Sequence, residues 1–326
     1  MADLDPNSPR SAPPPGIAAA SVREGWARVS EHWSSVGAAY LLSLVLSLPL
    51  AAALHASLAA SLAHREAAER LLQGWDGLWH KTFAGQAQGI EATFDAGVVG
   101  IGAVLRSLDA LVTGGLFDVP APIVTVGVLY LLGWLLLSGA LLARFRGEPG
   151  GLLSLGRKHM VSLIKVAVVG WLAWSVVLGS VLPLLSDIVE AQCRDVIDER
   201  VHVAWIVGKY AVVWALMFAI RVVVDYAKVA IIDEPTRSTL GALRVALGVC
   251  RWYPWAVFGV LWRVGLVSLA LLVAYAVVAP GAGQGNGFRI LVAFGISQSS
   301  VVARVVMRAW TLGSEQALVR AVSARA

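Results

Sequence analysis

Six long apolar runs constrain this chain more than any other feature of its sequence. Each run reaches about the 20 residues that an α-helix needs to cross a hydrocarbon core of ~30 Å. Backbone polar groups have to be satisfied internally in lipid, so we predict that the runs are spanning helices. They lie at residues 36–58, 122–143, 164–186, 203–224, 256–279 and 289–309.

The composition agrees with a membrane protein. Hydrophobic residues make up 58% of the 326 residues and charged residues 14%, whereas a soluble domain has roughly 25% charged residues. These figures exclude a water-soluble or disordered protein. The predicted fold class is all-α: a polytopic transmembrane helical bundle with six spanning helices plus interfacial amphipathic helices. Residues 21–326 form the predicted single transmembrane domain.

The N-terminal segment has a different character. Residues 1–20 contain five prolines among Ser, Asp, Asn and Ala, and almost no large side chain to bury, so we predict a disordered tail. About 35 residues precede the first apolar run, and that run is long enough to span. We therefore expect it to be retained as a helix, since the apolar stretch of a signal peptide is shorter, at roughly 7 to 15 residues.

Basic residues in the connections predict the orientation, because cytoplasmic loops retain Lys and Arg. The loops after the first and third runs set their basic residues against more numerous acidic ones. The loops after the second and fourth runs are mainly basic, with Arg144, Arg146, Arg157, Lys158, Lys228, Arg237, Arg244 and Arg251, and the C-terminal segment carries Arg320 and Arg325. We predict a multi-pass protein of the bacterial cytoplasmic (inner) membrane with both termini cytoplasmic.

The net charge of +5 and the pI near 9.5 have the same explanation. The basic residues are scattered at the ends of apolar runs and form no stripe, which argues against nucleic acid as a partner. The lipid bilayer, with its anionic inner surface, is the partner that this distribution favours.

The first outer loop is predicted to be a helical insertion at residues 64–120. Its stretch 96–115 is apolar, but it contains Arg106 and Asp109, and inserting it would invert the sidedness of every later loop. Apolar residues recur there at helical spacing, so we predict a one-sided helix on the outer surface. Interfacial packing is the simpler interpretation, and a lid or docking surface is the alternative.

A repeat is visible in the layout. Segments 22–33, 152–160 and 240–252 mix charged and apolar residues, and each precedes an odd-numbered run. Those runs each have a proline toward the predicted outer end: Pro49, Pro183 and Pro280. The pattern is that of three parallel helical hairpins, each introduced by an interfacial helix, an internal repetition known in membrane bundles.

One stretch resembles known sequences. The run Val224–Val229, Glu234 and the run Gly241–Leu247 resemble a pattern in uncharacterised bacterial six-helix integral membrane proteins and, more distantly, in the membrane region of some glycerophosphodiester phosphodiesterases. The resemblance implies a six-helix bacterial membrane layout. It implies no hydrolysis, because that family has no agreed activity and the sequence holds no soluble phosphodiesterase domain.

No motif for catalysis, metal or cofactor binding is present in the sequence. There is no H-E-x-x-H, G-x-S-x-G or P-loop lysine. The six histidines are isolated from one another, and two cysteines, Cys193 and Cys250, are too few for a Cys-based zinc site. We therefore predict no catalytic residue, no metal and no cofactor.

The informative residues are charges close to the hydrocarbon, because burying one costs roughly 2.5 to 3.5 kcal/mol on insertion scales. Arg221, Asp225 and Lys228 stack on one face at the cytoplasmic end of the fourth run, and Arg263 is the eighth residue of the fifth. On the sixth run a polar stripe follows 3-4-4-3 spacing: Ser297, Ser300, Arg304, Arg308 and Thr311, with Gln298 slightly off it.

Two interpretations of these charges are open. In the first, Asp225 bridges Arg221 and Lys228 while the other arginines extend to the inner headgroups. In the second, the four arginines converge on a cytoplasm-facing pocket that binds an anionic phospholipid head or a phosphate group, with Asp225 orienting one of them. The predicted binding residues are Arg221, Asp225, Lys228, Arg263, Arg304 and Arg308.

Two classes of function follow. A non-enzymatic membrane scaffold or accessory module, with a membrane protein as its partner, is favoured because no catalytic constellation emerges. A transporter or lipid-handling permease is the alternative, favoured by the polar stripe and the repeat. A transporter needs a polar path across the midplane, whereas these polar residues cluster in the inner half.

Overall fold

The computed structural model describes residues 14–63, 66–94, 102, 105, 120–196, 198–234, 238–281 and 285–324, and in these ranges every regular element is helical. Four helices lie outside the candidate spans. These are α1 (Ile17–Glu31), α3 (Ala67–Gln73), α4 (Gly77–Ala84) and α9 (Thr239–Trp252). The others are α2 (Trp33–Leu62), α5 (Ala121–Phe145), α6 (Leu152–Val176), α7 (Leu182–Cys193), α8 (Glu199–Asp233), α10 (Pro254–Val278) and α11 (Gly287–Ser323).

Six segments of the described chain are long and apolar enough to cross a membrane: α2, α5, α6 with α7, α8, α10 and α11. Only 11 to 39% of the most apolar stretch in each is buried within the chain. A large apolar surface is therefore left for lipid to cover. The prediction of an all-α polytopic bundle with six spanning helices is confirmed, and the chain is a multi-pass membrane protein.

The segments that precede the odd-numbered spans are of two kinds. α1 and α9 are separate helices that end just before α2 and α10, and Pro254 begins α10, where its missing N–H removes no helical hydrogen bond. The segment 152–160, predicted to be interfacial, is instead the first part of α6 and runs into the span without interruption. No proline separates it from the apolar residues that follow, so nothing ends the helix there.

The three prolines have different local consequences. Pro49 lies inside α2, and Pro280 follows the end of α10. Pro183 is the second residue of α7, and a π-helical turn, Val177–Val181, joins α6 to α7 just before it. Proline lacks an N–H and crowds the carbonyl four residues before it, and a widened turn relieves that clash without breaking the span.

The described part of the outer insertion contains α3, α4 and a single 3₁₀ turn at Glu91–Thr93. Asp76 caps α4 by accepting hydrogen bonds from the backbone N–H groups of Leu78 and Trp79. Trp79 and Phe83 are buried in a small aromatic core, together with Leu58, Leu62, Leu71, Ala87 and Phe94. The one-sided helix predicted within 96–115 lies outside the described residues except at 102 and 105.

By its internal contacts the chain groups into two compact units, whereas the sequence predicts a single transmembrane domain. Unit 1 contains residues 1–31, 135–263 and 310–326, and unit 2 contains residues 32–134 and 264–309. The tail predicted at 1–20 belongs largely to residues that are not described, and α1 begins at Ile17.

Small residues allow close helix packing in unit 1. A side chain at Gly156 would meet the carbonyl oxygen of Leu136 at 2.5 Å, and one at Gly139 would meet the side chain of Leu163 at 2.7 Å. Gly25 faces the backbone of Ser314 in the same way. Membrane helices approach closely through such residues, because the packing itself stabilises their contact.

Candidate functional site

Unit 2 contains a pocket between spanning helices. Its volume is about 300 Å³, the lower end of the range for small-molecule sites. Residues of α2, α5 and α11 line it: Ser43, Leu44, Ser47, Tyr130, Gln298, Val301, Arg304, Val305 and Arg308. Two of the six predicted binding residues, Arg304 and Arg308, are among them. None of the described residues in this lining is acidic, so the pocket is biased toward an anion.

The α11 face that lines the pocket differs from the predicted polar stripe. The lining residues of α11 follow helical spacing in one row, formed by Gln298, Val301, Val305 and Arg308. Arg304 lies beside this row. Gln298, predicted to lie slightly off the stripe, lines the pocket. Ser297 and Ser300 are not among the lining residues, because the face is rotated by about one residue from the predicted one.

Arg308 is held by two aromatic residues of α5. Its Nη1 donates a hydrogen bond to the Tyr130 hydroxyl at 3.1 Å, and its guanidinium lies 5.2 Å from the centre of the Trp134 ring. The attraction of a cation to a ring face at this distance fixes the direction of the side chain. The guanidinium keeps further N–H donors beyond the one that Tyr130 accepts.

Arg304 has its donors available. It lines the pocket, is exposed, and forms no hydrogen bond or ion pair with any residue of the described chain. A guanidinium with five N–H donors and no protein acceptor is suited to bind a phosphate or carboxylate in two-point geometry.

The other end of the pocket is polar and neutral. The Tyr40 hydroxyl donates to Gln298 Oε1 at 3.0 Å, which leaves the amide N–H groups of Gln298 to donate elsewhere. Ser43 and Ser47 donate their hydroxyls to carbonyls of their own helix, Ala39 and Leu44. The pocket thus has a cationic end and a neutral hydrogen-bonding end.

Three other predicted residues form a charged group in unit 1. Asp225 accepts a hydrogen bond from Lys228 Nζ at 2.7 Å and lies 3.7 Å from Arg221 Nε. The Lys228 and Asp225 side chains are 12% and 15% exposed, whereas Arg221 is 59% exposed. Asp225 therefore lies between its two basic neighbours, as the spacing on α8 predicts, and the pair with Lys228 is the less exposed of the two.

Arg263 also belongs to unit 1, on α10. It is exposed, and its Nη1 donates to the carbonyl oxygen of Gly259 on its own helix at 2.9 Å. The structure thus places the six predicted residues in three local settings: the charged group on α8, Arg263 on its own helix, and the pair Arg304 and Arg308 in the pocket.

A buried polar cluster in unit 1 was not predicted. Gln316 is fully buried, donates to the Leu142 carbonyl at 3.1 Å and to Asp233 Oδ1 at 3.0 Å, and accepts from Arg28 Nη1 at 3.3 Å. Arg320 also donates to Asp233, at 3.3 Å. Asp233 lies beyond the predicted end of the fourth span at 224, and Gln316 and Arg320 lie beyond that of the sixth at 309, where α8 and α11 continue as helices.

Glu315, beside Gln316, is 1% exposed, and its Oε2 has no hydrogen-bond partner within the described chain. The Tyr226 hydroxyl is in the same situation. The charged side chains that act on Glu315 through space are Asp225, Arg221 and Lys228. Glu315 lies six residues, less than two helical turns, beyond the predicted end of the sixth span at 309, and hydropathy alone does not reveal its burial.

A loop between α5 and α6 contains a second ion-pair network. Lys158 Nζ lies 2.7 Å from Glu148 Oε2, and Arg146 Nη1 lies 3.5 Å from Glu148 Oε1. The hydrogen bond from Lys158 holds the pKa of Glu148 below its ordinary value. Arg146 also donates to the Ile232 carbonyl at 2.6 Å, which ties the loop to the end of α8.

The surroundings of the Cys250 thiol disfavour its ionised form. Burial raises the pKa of Cys250 to about 11, so its thiol is protonated and a poor nucleophile at neutral pH. Across the residues that the structure describes, no group of three His, Cys, Asp or Glu side chains is placed to hold a metal ion.

Comparisons with protein-family models, curated proteins and solved structures give no match for this chain.

Proposed function

We propose that this chain is a non-enzymatic membrane module that holds an anionic headgroup, from a lipid or a phosphate compound, in the pocket of unit 2. The observation that carries the proposal is the presence of Arg304 and Arg308 in one cavity with no acidic residue among its described lining. Arginine binds phosphate strongly, because each contact is a charge-assisted hydrogen bond.

The surroundings of the pocket favour a lipid source for the anion. The pocket is formed by spanning helices, and its cationic end lies near the inner headgroups if the basic loops are cytoplasmic.

We propose the bacterial inner membrane as the location, with both termini cytoplasmic. Arg221, Asp225, Lys228 and Arg263 are proposed to contribute to the basic inner-leaflet surface. The proposed relation to bacterial six-helix membrane proteins rests on the stretch from Val224 to Leu247.

An accessory role also implies a protein partner within the membrane. α10 carries an exposed aromatic row, with Trp255 82%, Phe258 52% and Trp262 55% exposed. Phe258 stacks on Trp262 with ring centres 5.9 Å apart. Such a rigid row suits the interfacial zone of lipid or the side of a partner helix.

A transporter or permease is the second candidate. The observation in its favour is that Gln298 and Ser47 lie near the middle of their predicted spans and also line the pocket. The pocket lining, however, runs from there only toward Arg308, which covers one half of the membrane. A binding module is therefore favoured over a path through the bilayer.

The test is native mass spectrometry of the purified protein with added anionic phospholipid. The variant Arg304→Ala/Arg308→Ala should retain at least tenfold less lipid, since each hydrogen bond to a charged group contributes roughly 1.5 to 3 kcal/mol. Arg289→Ala is the matched control, because Arg289 lies on the same helix outside the pocket lining and should bind as the wild type does. Unchanged retention in the double variant, or an equal loss in the control, would overturn the proposal.

A further inference from the structure

We propose that the occupant of the pocket is a diacyl glycerophospholipid whose phosphate lies at Arg304 and Arg308 and whose ester carbonyls accept hydrogen bonds from Gln298. The inference rests on the proposed function, because it assumes that the two arginines bind an anion. It adds a second recognition element, a specific class of ligand, and a role for Gln298 and Tyr40.

The first step is the chemical division of the pocket. At one end Arg304, Arg308 and the Tyr130 hydroxyl offer donors suited to a phosphate. At the other end Gln298, Ser43 and Ser47 offer neutral polar groups. A free phosphate satisfies only the first end, whereas a glycerophospholipid carries a phosphate and, a short distance along the molecule, two ester groups.

The second step is the state of the Gln298 amide. Its oxygen accepts from the Tyr40 hydroxyl at 3.0 Å, which orients the amide, and its N–H₂ group has no partner among the described residues and can donate to a ligand. Unpartnered N–H donors are therefore present at both ends of the pocket, on Gln298 and on Arg304. An ester carbonyl is an acceptor only, which matches the free amide donors. Tyr40 acts as a positioning residue.

The separation of Gln298 and Arg304 along α11 matches the separation of the phosphate and the esters in the lipid. Gln298 and Arg304 are six residues apart on α11, which corresponds to about 9 Å along the helix axis. Side chains on a helix lean toward its N-terminus, so the long Arg304 side chain extends back toward Gln298 and shortens the gap. In the proposed orientation the ester end lies deeper than the phosphate end, which is the order in a lipid of the inner leaflet.

The volume of the pocket fits the headgroup region of such a lipid. About 300 Å³ accommodates a phosphoglycerol group and excludes two acyl chains. The chains would lie outside the pocket on apolar surface. α2 offers such surface next to the pocket lining, where Val45 is 60% exposed and Leu48 is 55% exposed.

The experiment compares three probes by native mass spectrometry: an ester-linked phosphatidylglycerol, its ether-linked analogue and inorganic phosphate. The wild type should prefer the ester lipid over the ether lipid by about fivefold, the effect of one or two net hydrogen bonds. Gln298→Leu should reduce ester-lipid binding to the ether-lipid level and leave ether-lipid binding unchanged, which also shows that the variant is folded. Tyr40→Phe should weaken only the ester lipid.

The control is Ser299→Ala, since Ser299 neighbours Gln298, bonds its own helix at Gly295 and is not in the pocket lining. It should keep the ester preference. Arg304→Ala should weaken both lipids equally. Equal binding of ester and ether lipid, with Arg304→Ala still weakening both, would overturn this inference and leave the proposed function intact. No effect of Arg304→Ala would overturn the proposed function, and displacement of bound lipid by equimolar inorganic phosphate would identify a free anion as the occupant.

Discussion

Single polar residues that hydropathy ignores hold parts of this membrane protein together. Gln316 is the clearest case, because one fully buried amide satisfies groups from α5, α8 and α1. A buried polar side chain with all its partners present is stabilising, whereas removing it leaves those partners unsatisfied.

Gln316→Leu should therefore destabilise the protein by about 2 to 4 kcal/mol, since a buried group without its partner costs roughly 1 to 3 kcal/mol. The measurement is the thermal unfolding midpoint in detergent. Gln192→Leu is the control, because Gln192 is exposed on α7 and its replacement should change the midpoint little. Equal midpoints for the two variants would contradict the structural role of Gln316.

Glu148 gives the protein a predictable pH dependence. The pKa of this carboxyl is lowered in the folded state, chiefly by the Lys158 hydrogen bond, so the folded state holds its proton less tightly than the unfolded one. The resulting stabilisation is fully present above the unfolded pKa, near 4.5, and is lost as the pH falls through the folded value.

Glu148→Gln should lower stability at neutral pH by at most about 1 kcal/mol, because Lys158 is 55% exposed and solvent screens the pair. Unfolding midpoints of both proteins, measured from neutral pH downward, should converge below the ordinary pKa of a glutamate. A difference that stays constant over the whole pH range would show that the ion pair is not its source.

At the scale of whole elements, close approach of helices is a stronger constraint than apolar periodicity. A Cβ at Gly25 of α1 would lie 2.5 Å from the Ser314 backbone nitrogen and 2.8 Å from its Cα. Backbone atoms cannot move aside cheaply. A Cβ at Gly37 of α2 meets nothing within 4 Å.

Gly25→Ala should consequently destabilise the protein by roughly 1 to 3 kcal/mol through overpacking. Gly37→Ala should be neutral or stabilising by up to about 1 kcal/mol, because alanine favours a helix over glycine. Parallel unfolding measurements on the two variants separate packing from helix propensity. Similar effects of both substitutions would rule out the α1–α11 contact.

The sequence predicts which helices form better than it predicts where those helices end. The apolar runs identify all six spans, because lipid leaves a helix as the economical solution for each. The apolar runs predict that the fourth span ends at 224 and the sixth at 309, whereas the helices α8 and α11 continue to Asp233 and Ser323. Buried polar pairs such as Gln316 with Asp233 stabilise those extensions. An average of hydropathy treats polar residues as exposed, so it does not predict that the helices continue through them.

The candidate site is predicted only in part for a related reason. Arg304 and Arg308 are recognisable because they are charges within an apolar run. Gln298 becomes informative only through Tyr40, which is 258 positions away in the sequence. A single sequence does not show that Tyr40 and Gln298 are neighbours in space, so the neutral end of the pocket was not predictable.

At the scale of the whole molecule, the distribution of basic loops predicts which ends of the spans face the cytoplasm. Cys193, at the end of α7, should be on the outer side, and Arg157, near the start of α6, on the cytoplasmic side. Arg157 is exposed and Cys193 is partly exposed.

A membrane-impermeant thiol reagent should label Cys193 in intact spheroplasts of the Cys250→Ser variant. A cysteine introduced by Arg157→Cys into the variant lacking both native cysteines should react only after the membrane is opened. The opposite pattern would invert the proposed topology, and with it the assignment of the pocket to the inner leaflet.

The most direct measurement of the proposed binding site is a cryo-electron microscopy structure of the protein in nanodiscs of anionic phospholipid. We expect lipid density in the pocket lined by Tyr130, Gln298, Arg304 and Arg308, with a phosphate within hydrogen-bond distance of the Arg304 guanidinium. A well-resolved pocket with no lipid density, and with Arg304 directed away from it, would contradict the proposed binding site.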